Sequence, residues 1–362
     1  MDIRNAIRCF ASAKRRDTGV APGKQVAFFP TDAHFADGRW HIPLHGRIYR
    51  PTEMTRLRRA GLWLIKQTLR RHVPADEKGK TLFRERVGAF LADNERWERV
   101  EIQLGEMVVR LKRSHANGHF TGIAEVAEQQ VAAWVDGGLA CRRKDAIWVP
   151  FRALTGAEDR RVFEGCVRLL PPEGVSVISD IDDTIKVTEV ASRRKMLRNT
   201  FVREFAGVPE MAALYRHWQE ARGAAIHYVS NSPWHLYPFL EEFLNGQGFP
   251  PGTFYLRHFR LMPRDLRQTL RSGRRVKLTH ARALLRRFPR RKFWLVGDSG
   301  ESDAAVYARL YREFPEQVER VLIRDMGLKG GSAARVAHAL KTVPEDHWQI
   351  FSYVSEISRY VI

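Results

Sequence analysis

Three carboxylates follow a buried strand within one short stretch of the chain. Residues Val175–Ser179 are mostly apolar and β-branched, which is typical of an inner strand of a parallel sheet. Asp180, Asp182 and Asp183 come directly after them. So much like charge indicates that the cluster lies at the strand's end and meets a cation there, since ligands of open α/β sheets bind at that edge. The other interpretation is that these residues only cap a turn or a helix.

Polar residues of other kinds follow the later strands of the same region. Ser230 follows the second predicted strand, and Lys277 begins a helix between the third and fourth. Asp298 and Asp303 follow the fourth strand. In a doubly wound sheet all of these side chains converge on one crevice with the first aspartates. Carboxylate oxygens in this number suit Mg²⁺, which shares its coordination shell with substrate phosphate.

Such a set of side chains can transfer a phosphoryl group. A carboxylate fixed at a strand end, Asp180, can attack phosphorus and form an aspartyl-phosphate. Asp182, two residues on, can protonate the leaving oxygen and later take a proton from water. Ser230, Lys277 and Mg²⁺ would meet the charge of the transferred oxygens. Asp298 and Asp303 would hold the metal.

The elements that position these residues alternate between strand and helix, which indicates an α/β sheet. Strands are predicted at 175–179, 225–229, 254–256, 293–296 and 320–323, and helices at 207–222, 234–244, 276–288 and 301–314.

The earlier part of the chain has a different pattern. Residues 25–170 contain short alternating segments with hairpin-turn signals, and 57–69 has apolar residues at helical spacing. We predict a β-rich, sandwich-like domain at 25–170 with a helical insertion, and an α/β domain at 171–362. The boundary is the proline-glycine segment Leu170-Pro-Pro-Glu-Gly174.

Charge narrows the class of partner. The 362 residues carry a formal net charge of +20, which indicates an anionic partner: nucleic acid, phosphate esters or a membrane surface. Residues 1–24 are predicted to be a basic arm, either an amphipathic helix on an anionic membrane or a docked or frayed terminal helix. The apolar runs are too short to cross a bilayer, and three scattered cysteines favour a reducing compartment. We therefore expect a cytoplasmic protein, with peripheral membrane contact as a further expectation.

Four motifs in this order resemble those of haloacid-dehalogenase-like phosphatases. The matching residues are Asp180-Ile-Asp-Asp-Thr184, Ser230, Lys277 and Gly297-Asp-Ser-Gly-Glu-Ser-Asp303. More narrowly, 179–186, 228–234 and 295–303 resemble the phosphatidate phosphatase family of the yeast actin patch protein, which is related to the lipin catalytic domain. The resemblance covers about 170–330 and implies a haloacid-dehalogenase-like Rossmannoid sheet. The segment between Asp180 and Gly207 leaves room only for a minimal cap, hence an open site.

The resemblance implies roles for individual residues. We predict Asp180 and Asp182 as catalytic residues, Thr184, Ser230, Asn231 and Lys277 as phosphate ligands, and Asp180, Asp182, Asp298 and Asp303 as metal ligands. Asp183 receives no role.

The leading hypothesis is a Mg²⁺-dependent phosphomonoesterase that hydrolyses phosphatidate to diacylglycerol and phosphate. A phosphatase acting on nucleic-acid ends or on another phosphomonoester is the second hypothesis, which the positive charge also suits. A third, of another class, is a non-catalytic module that binds anionic lipid. The intact set of motifs argues against the third, and the lack of interleaved aromatic platforms argues against strand binding.

Overall fold

The computed structural model describes residues 20–51, 77–144, 146–156, 158–258, 265–300, 302–327 and 332–361, apart from the side chains of 265–272 and 358–361. The predicted helix 57–69 and nearly all of the basic arm lie outside this range. The described residues divide into two compact units. One contains the chain up to residue 53 together with 92–172, and the other contains the rest.

The first unit is rich in β structure. Its strands are β1 (Gln25–Phe29), β2 (Thr31–Ala36), β3 (Arg39–Arg50), β4 (Asp93–Asn94), β5 (Glu101–Leu104), β6 (Met107–Arg110), β7 (His119–Ala127), β8 (Cys141–Arg142), β9 (Ile147–Ala153) and β10 (Glu164–Leu169). Helix α1 (Glu77–Leu91) lies between β3 and β4 in the chain but belongs to the second unit, and α2 (Glu128–Asp136) follows β7.

These ten strands form one hydrogen-bonded sheet rather than two separate antiparallel sheets. The connection is the parallel pairing of β2 with β10, while the other strand pairs are antiparallel. Strand β3 is twelve residues long and pairs with β1, β2, β4 and β7. The core contains edge-to-face aromatic contacts, with the Phe28 ring 4.8 Å from Phe151 and 5.9 Å from Phe120.

A buried ion pair lies at the junction of β2 and β10. Arg168 Nε donates to Asp32 Oδ1 at 2.7 Å, the two residues are register partners, and neither side chain is exposed. Replacing Asp32 by Ala would leave a buried guanidinium without this carboxylate. We expect the free energy of unfolding to fall by about 3–5 kcal/mol.

Urea denaturation of the full chain, followed by circular dichroism, measures this change. Glu125→Gln is the control in the same unit, because its pair with His41 is long, at 3.8 Å, and 56% of the Glu125 side chain is exposed. That substitution should cost less than about 1 kcal/mol. Equal effects of the two substitutions would contradict the importance of the buried pair.

The second unit is built on a six-stranded sheet in which all neighbouring strands are parallel. Its strands are β11 (Val175–Ser179), β12 (Ala225–Pro233), β13 (Gly252–Arg257), β14 (Lys292–Asp298), β15 (Val318–Arg324) and β16 (Trp348–Phe351). The spatial order is β13-β12-β11-β14-β15-β16. The chain moves outward from β11 in one direction and then returns to β14, so the order reverses between these two strands. Ligands of doubly wound sheets bind at such a switch point.

Helices cover the sheet and connect its strands. They are α3 (Arg193–Phe201), α4 (Met211–Arg222), α5 (Tyr237–Gly246), α6 (Asp265–Arg287), α7 (Asp303–Glu313) and α8 (Ser332–Leu340). Short 3-10 helices lie at Trp234–Leu236, Glu345–His347 and Val354–Val361. Because the sheet is inside, Val177, Ile226 and Leu295 have no exposed surface. None of the described helices is long and apolar enough to span a membrane.

The α/β order of the second unit agrees with the sequence prediction, with differences at particular elements. Lys277 does not begin a helix: α6 starts twelve residues earlier, at Asp265, so Lys277 lies near its middle. Strand β12 continues to Pro233, past the predicted end at Val229. Helix α3 and strand β16 had no counterpart in the prediction.

Candidate active site

The end of the central strand holds Asp180 in a buried position. Its backbone N–H donates to the carbonyl of Val296 at 2.9 Å, which continues the pairing of β11 with β14 by one residue. The Thr184 hydroxyl lies 3.4 Å from Asp180 Oδ2. Only 1% of Asp180 is exposed. The sheet therefore fixes this carboxylate.

Lys277 connects the first and last motifs. Its ammonium group lies 3.0 Å from Asp180 Oδ1 and 2.7 Å from Asp303 Oδ1. Only 3% of the lysine side chain is exposed. Although its position on the helix differed from the prediction, Lys277 lies in the predicted site.

Asp180, Asp298 and Asp303 form a group that we call the aspartate cluster. Each is buried, and each offers one carboxylate oxygen within 4.8 Å of the others. Asp303 Oδ2 accepts a hydrogen bond from the backbone N–H of Asp298 at 3.3 Å. Gly297 makes this approach possible, because a Cβ there would lie 2.5 Å from Asp303 Oδ2 and 2.7 Å from Asp303 Cβ.

The charges around the aspartate cluster fit a divalent cation. The cluster, Asp182 and the buried Asp183 carry five formal negative charges, and the side chains of Lys186, Lys277 and Arg324 carry three positive ones. Two formal negative charges remain, equal to the charge of one divalent ion. Buried carboxylate oxygens are also the donors that hard cations prefer. The residues present are therefore suited to Mg²⁺.

Asp182 lies outside the aspartate cluster and has its own set of partners. Lys186 Nζ is 2.8 Å from Oδ1, and the Thr188 hydroxyl donates to the same oxygen at 2.8 Å. The hydroxyls of Ser230 and Ser232 donate to Oδ2 at 3.0 and 2.8 Å. Burial alone would raise the pKa of Asp182, but the ion pair with Lys186 and the hydrogen bonds outweigh burial and hold the pKa well below its usual value.

Asp183, which had no predicted role, organises the loop that follows. Its backbone is left-handed, with φ 60°, and its carboxylate accepts the backbone N–H groups of Thr188, Glu189 and Val190 at 2.7–2.8 Å. The guanidinium of Arg324 donates to the Asp183 carbonyl at 2.6 Å. Asp183 therefore fixes the loop that brings Lys186 and Thr188 to Asp182.

Two predicted phosphate ligands have protein partners here. Ser230 donates to Asp182, as described above, and Asn231 lies against helix α6, where a Cβ at Gly273 would be 2.7 Å from its amide nitrogen. Their contacts with phosphate, and that of Thr184, stay predictions. So does the metal-binding role of Asp182.

Three residues that contact Asp182 were missed by the sequence analysis, although two had a signal. Ser232 follows Ser230 by two residues, and in an extended strand such residues share a face. Lys186 follows Asp182 by four residues, which suits an ion pair within one tight turn. Thr188 had no signal, because only the folded loop brings it back.

Substituting Gly297 tests the packing of the aspartate cluster. In Gly297→Ala the added methyl group overlaps Asp303, which must move away from Lys277 and Asp298. We expect the free energy of unfolding to fall by about 1–3 kcal/mol and Mg²⁺ binding to weaken. Thermal denaturation and titration calorimetry measure the two effects.

The matched control is Gly246→Ala at the end of α5, where no atom lies within 4 Å of the new methyl group. Stability there should be unchanged or slightly raised. A Gly297→Ala chain with wild-type stability and metal binding would show that Asp303 does not need its close approach.

Comparisons with known proteins point to the part of the chain that carries this site. Residues 175–325, which carry the strand-end motifs, match the family model described as the catalytic domain of phosphatidate phosphatase APP1. Phosphatidate phosphatase APP1 of Saccharomyces cerevisiae is 35% identical over 159 residues, which cover 42% of this chain and 26% of that protein. An uncharacterized protein of Schizosaccharomyces pombe is 34% identical over 167 residues, 44% of this chain and 26% of the relative.

The matched part spans about a quarter of the length of these curated relatives. A solved carbohydrate esterase structure covers 91% of this chain and 88% of its own, but with 10% identity and a TM-score of 0.20, which supports no conclusion about the fold. The family match includes β11 to β15 and the site between them. Over residues 175–325 the chain is therefore similar to the catalytic domain of phosphatidate phosphatase APP1.

Proposed function

We propose that the chain is a Mg²⁺-dependent phosphatidate phosphatase that works through an aspartyl-phosphate on Asp180, within a haloacid-dehalogenase-like domain. One observation carries the proposal. Asp180, at the end of the central strand, is paired with Lys277 beside two further aspartates, and Asp182 is held separately two residues on. This separation of a nucleophile from an acid/base is what two-step phosphoryl transfer needs.

The first step transfers the phosphoryl group to the enzyme. An Asp180 oxygen attacks phosphorus, the bond from phosphorus to the lipid oxygen breaks, and Asp182 gives that oxygen a proton. The approach of an anionic phosphoryl group favours the protonated form of Asp182, which supplies the proton for this step. Lys277 lies against Asp180 and counters the negative charge that gathers there.

The second step releases phosphate. Asp182 takes a proton from water, the water oxygen attacks phosphorus, and the bond to Asp180 breaks to restore the carboxylate. The hydroxyls of Ser230 and Ser232 orient Asp182 for this work. The aspartate cluster would hold Mg²⁺, which would neutralise charge on the phosphoryl oxygens.

A lipid surface is the proposed place of action. Arg193, Arg194 and Lys195 are exposed at the start of α3, and Asn199 of the same helix donates to the Thr188 carbonyl beside the site. Positive charge near the site favours contact with an anionic membrane. We therefore propose a cytoplasmic protein that binds membranes peripherally.

Carboxamide substitutions test the mechanism. Asp180→Asn and Asp182→Asn should each lower phosphate release from short-chain phosphatidate at least about 10³-fold, because one removes the nucleophile and the other the proton carrier. Chelation of Mg²⁺ should abolish release, and added Mg²⁺ should restore it. Asp346→Asn is the control, since its side chain is 81% exposed. Near-normal turnover by either active-site variant would refute the mechanism.

The net charge of +20 also suits a second candidate function, the removal of phosphate from nucleic-acid ends. Phosphate release from phosphatidate vesicles and from 5′-phosphorylated oligonucleotides, at equal phosphate concentration, separates the two. We expect faster release from the vesicles. A preference for the oligonucleotide that falls steeply with salt would favour the second candidate.

A further inference from the structure

Helix α1 packs on the phosphatase unit although it lies between two strands of the other unit in the chain. Its buried residues include Phe83, Arg86 and Val87, which share one helical face. Phe83 and Val87 form an apolar cluster with Val202, just after α3. Helix α1 therefore packs against the end of α3, in the segment that follows the first motif.

Arg86 is the polar centre of this contact. Its Nη1 donates to the carbonyls of Thr200 and Arg203, at 2.9 and 2.6 Å. The Thr200 carbonyl lies in the last turn of α3, where carbonyl groups lack partners within the helix. Arg86 therefore supplies a donor to the C-terminal end of α3. The guanidinium also lies 3.8 Å from the centre of the Phe205 ring. Burial lowers the pKa of Arg86 to about 10, which leaves it charged at neutral pH.

The segment just after Arg203 pairs with the loop that follows the first motif. The N–H of Val187 donates to the Ala206 carbonyl at 2.8 Å, and that of Val208 donates to the Ile185 carbonyl at 2.9 Å. Lys186, between these two bonds, has its ammonium 4.7 Å from the centre of the Phe205 ring. Phe205 thus contacts two cations, and one of them, Lys186, pairs with Asp182.

A second contact of α1 lies near Ser232, another partner of Asp182. The ring of Phe90, near the end of α1, stacks on His235 with centroids 4.8 Å apart and planes 13° apart. His235 follows Ser232 by three residues, and Ser232 donates to Asp182. Helix α1 therefore contacts the segment that pairs with the Lys186 loop and, separately, the segment that follows Ser232.

We propose that α1 is a supporting element of the active site, and that Arg86 is a positioning residue that orients Asp182 through Phe205, Lys186 and their paired segment. This inference rests on the proposed function, because Asp182 acts there as acid and base. A shift of about 1 Å in such a group lowers turnover by about 100-fold, while binding of the phosphoryl group depends on other residues.

A purely structural role for Arg86 has different consequences. In that case its loss lowers the stability of the chain, and activity falls only with the fraction that unfolds. A positioning role lowers kcat in fully folded protein and leaves KM nearly unchanged. Lysine keeps the charge but not the planar fork that reaches two carbonyls while stacking on a ring, so Arg86→Lys should recover only part of the loss.

The test compares full-length chains with a small aryl phosphate and Mg²⁺, below the unfolding temperature of every variant. For Arg86→Ala we expect kcat to fall tenfold to about 100-fold with KM within about twofold. Arg86→Lys should lie between this variant and wild type. Arg84→Ala, on the exposed face of α1, should leave both constants unchanged.

Phe205→Leu is the second variant, for the case that Arg86→Ala does not fold. It keeps the hydrogen bonds of Arg86 and removes the ring between the two cations. We expect kcat to fall at least fivefold with KM nearly constant. A kcat within twofold of wild type in either folded variant would overturn the inference while leaving the proposed function intact. A wild-type chain that releases no phosphate from any phosphomonoester would overturn both.

Discussion

The site depends on holding several carboxylates close together in one buried region against their mutual electrostatic repulsion. Asp180, Asp298 and Asp303 approach within 4.8 Å, where like charges shielded from water would repel strongly. Lys277 counters part of this charge by contacting two of the three. Lys186 does the same for Asp182. Because both lysines are buried with the acids they contact, solvent screens their charges little, and the remaining negative charge is available to a cation.

The two lysines divide the site into halves with different tasks. Lys277 comes from a helix after β13 and contacts Asp180 and Asp303 in the half that faces β14. Lys186 comes from the loop after β11, and its partner Asp182 also accepts hydrogen bonds from hydroxyl groups of β12. The end of the central strand thus places one aspartate beside each of its two neighbouring strands. Two residues only two positions apart therefore have different surroundings, as the proposed roles of nucleophile and acid/base require.

Sequence reasoning located the strand-end residues because parallel strands impose a simple rule: polar residues after successive buried strands meet at one edge. Ser230, Asp298 and Asp303 followed from that rule alone. The rule did not give the bounds of the helix that carries Lys277, which begins at Asp265, because helix starts depend on capping and packing that the basic run before Lys277 hides. It also failed for Asp183, because its role lies in accepting three backbone N–H groups of a loop whose path the sequence does not show.

The largest difference between the sequence prediction and the structure concerns helix α1. Its place in the sequence assigned it to the β-rich domain, but its contacts lie within the second unit. Nothing in the periodicity of α1 identifies its partner, since an apolar face fits any apolar surface. The informative residue is Arg86. A buried arginine needs acceptors that its own helix cannot offer, and here the carbonyls of Thr200, in the last turn of α3, and of Arg203, just after the helix, supply them. A second unit cut at Glu173 would therefore lose α1, expose Val202 and leave the Thr200 carbonyl without its donor. The compact unit thus does not coincide with one continuous stretch of the sequence.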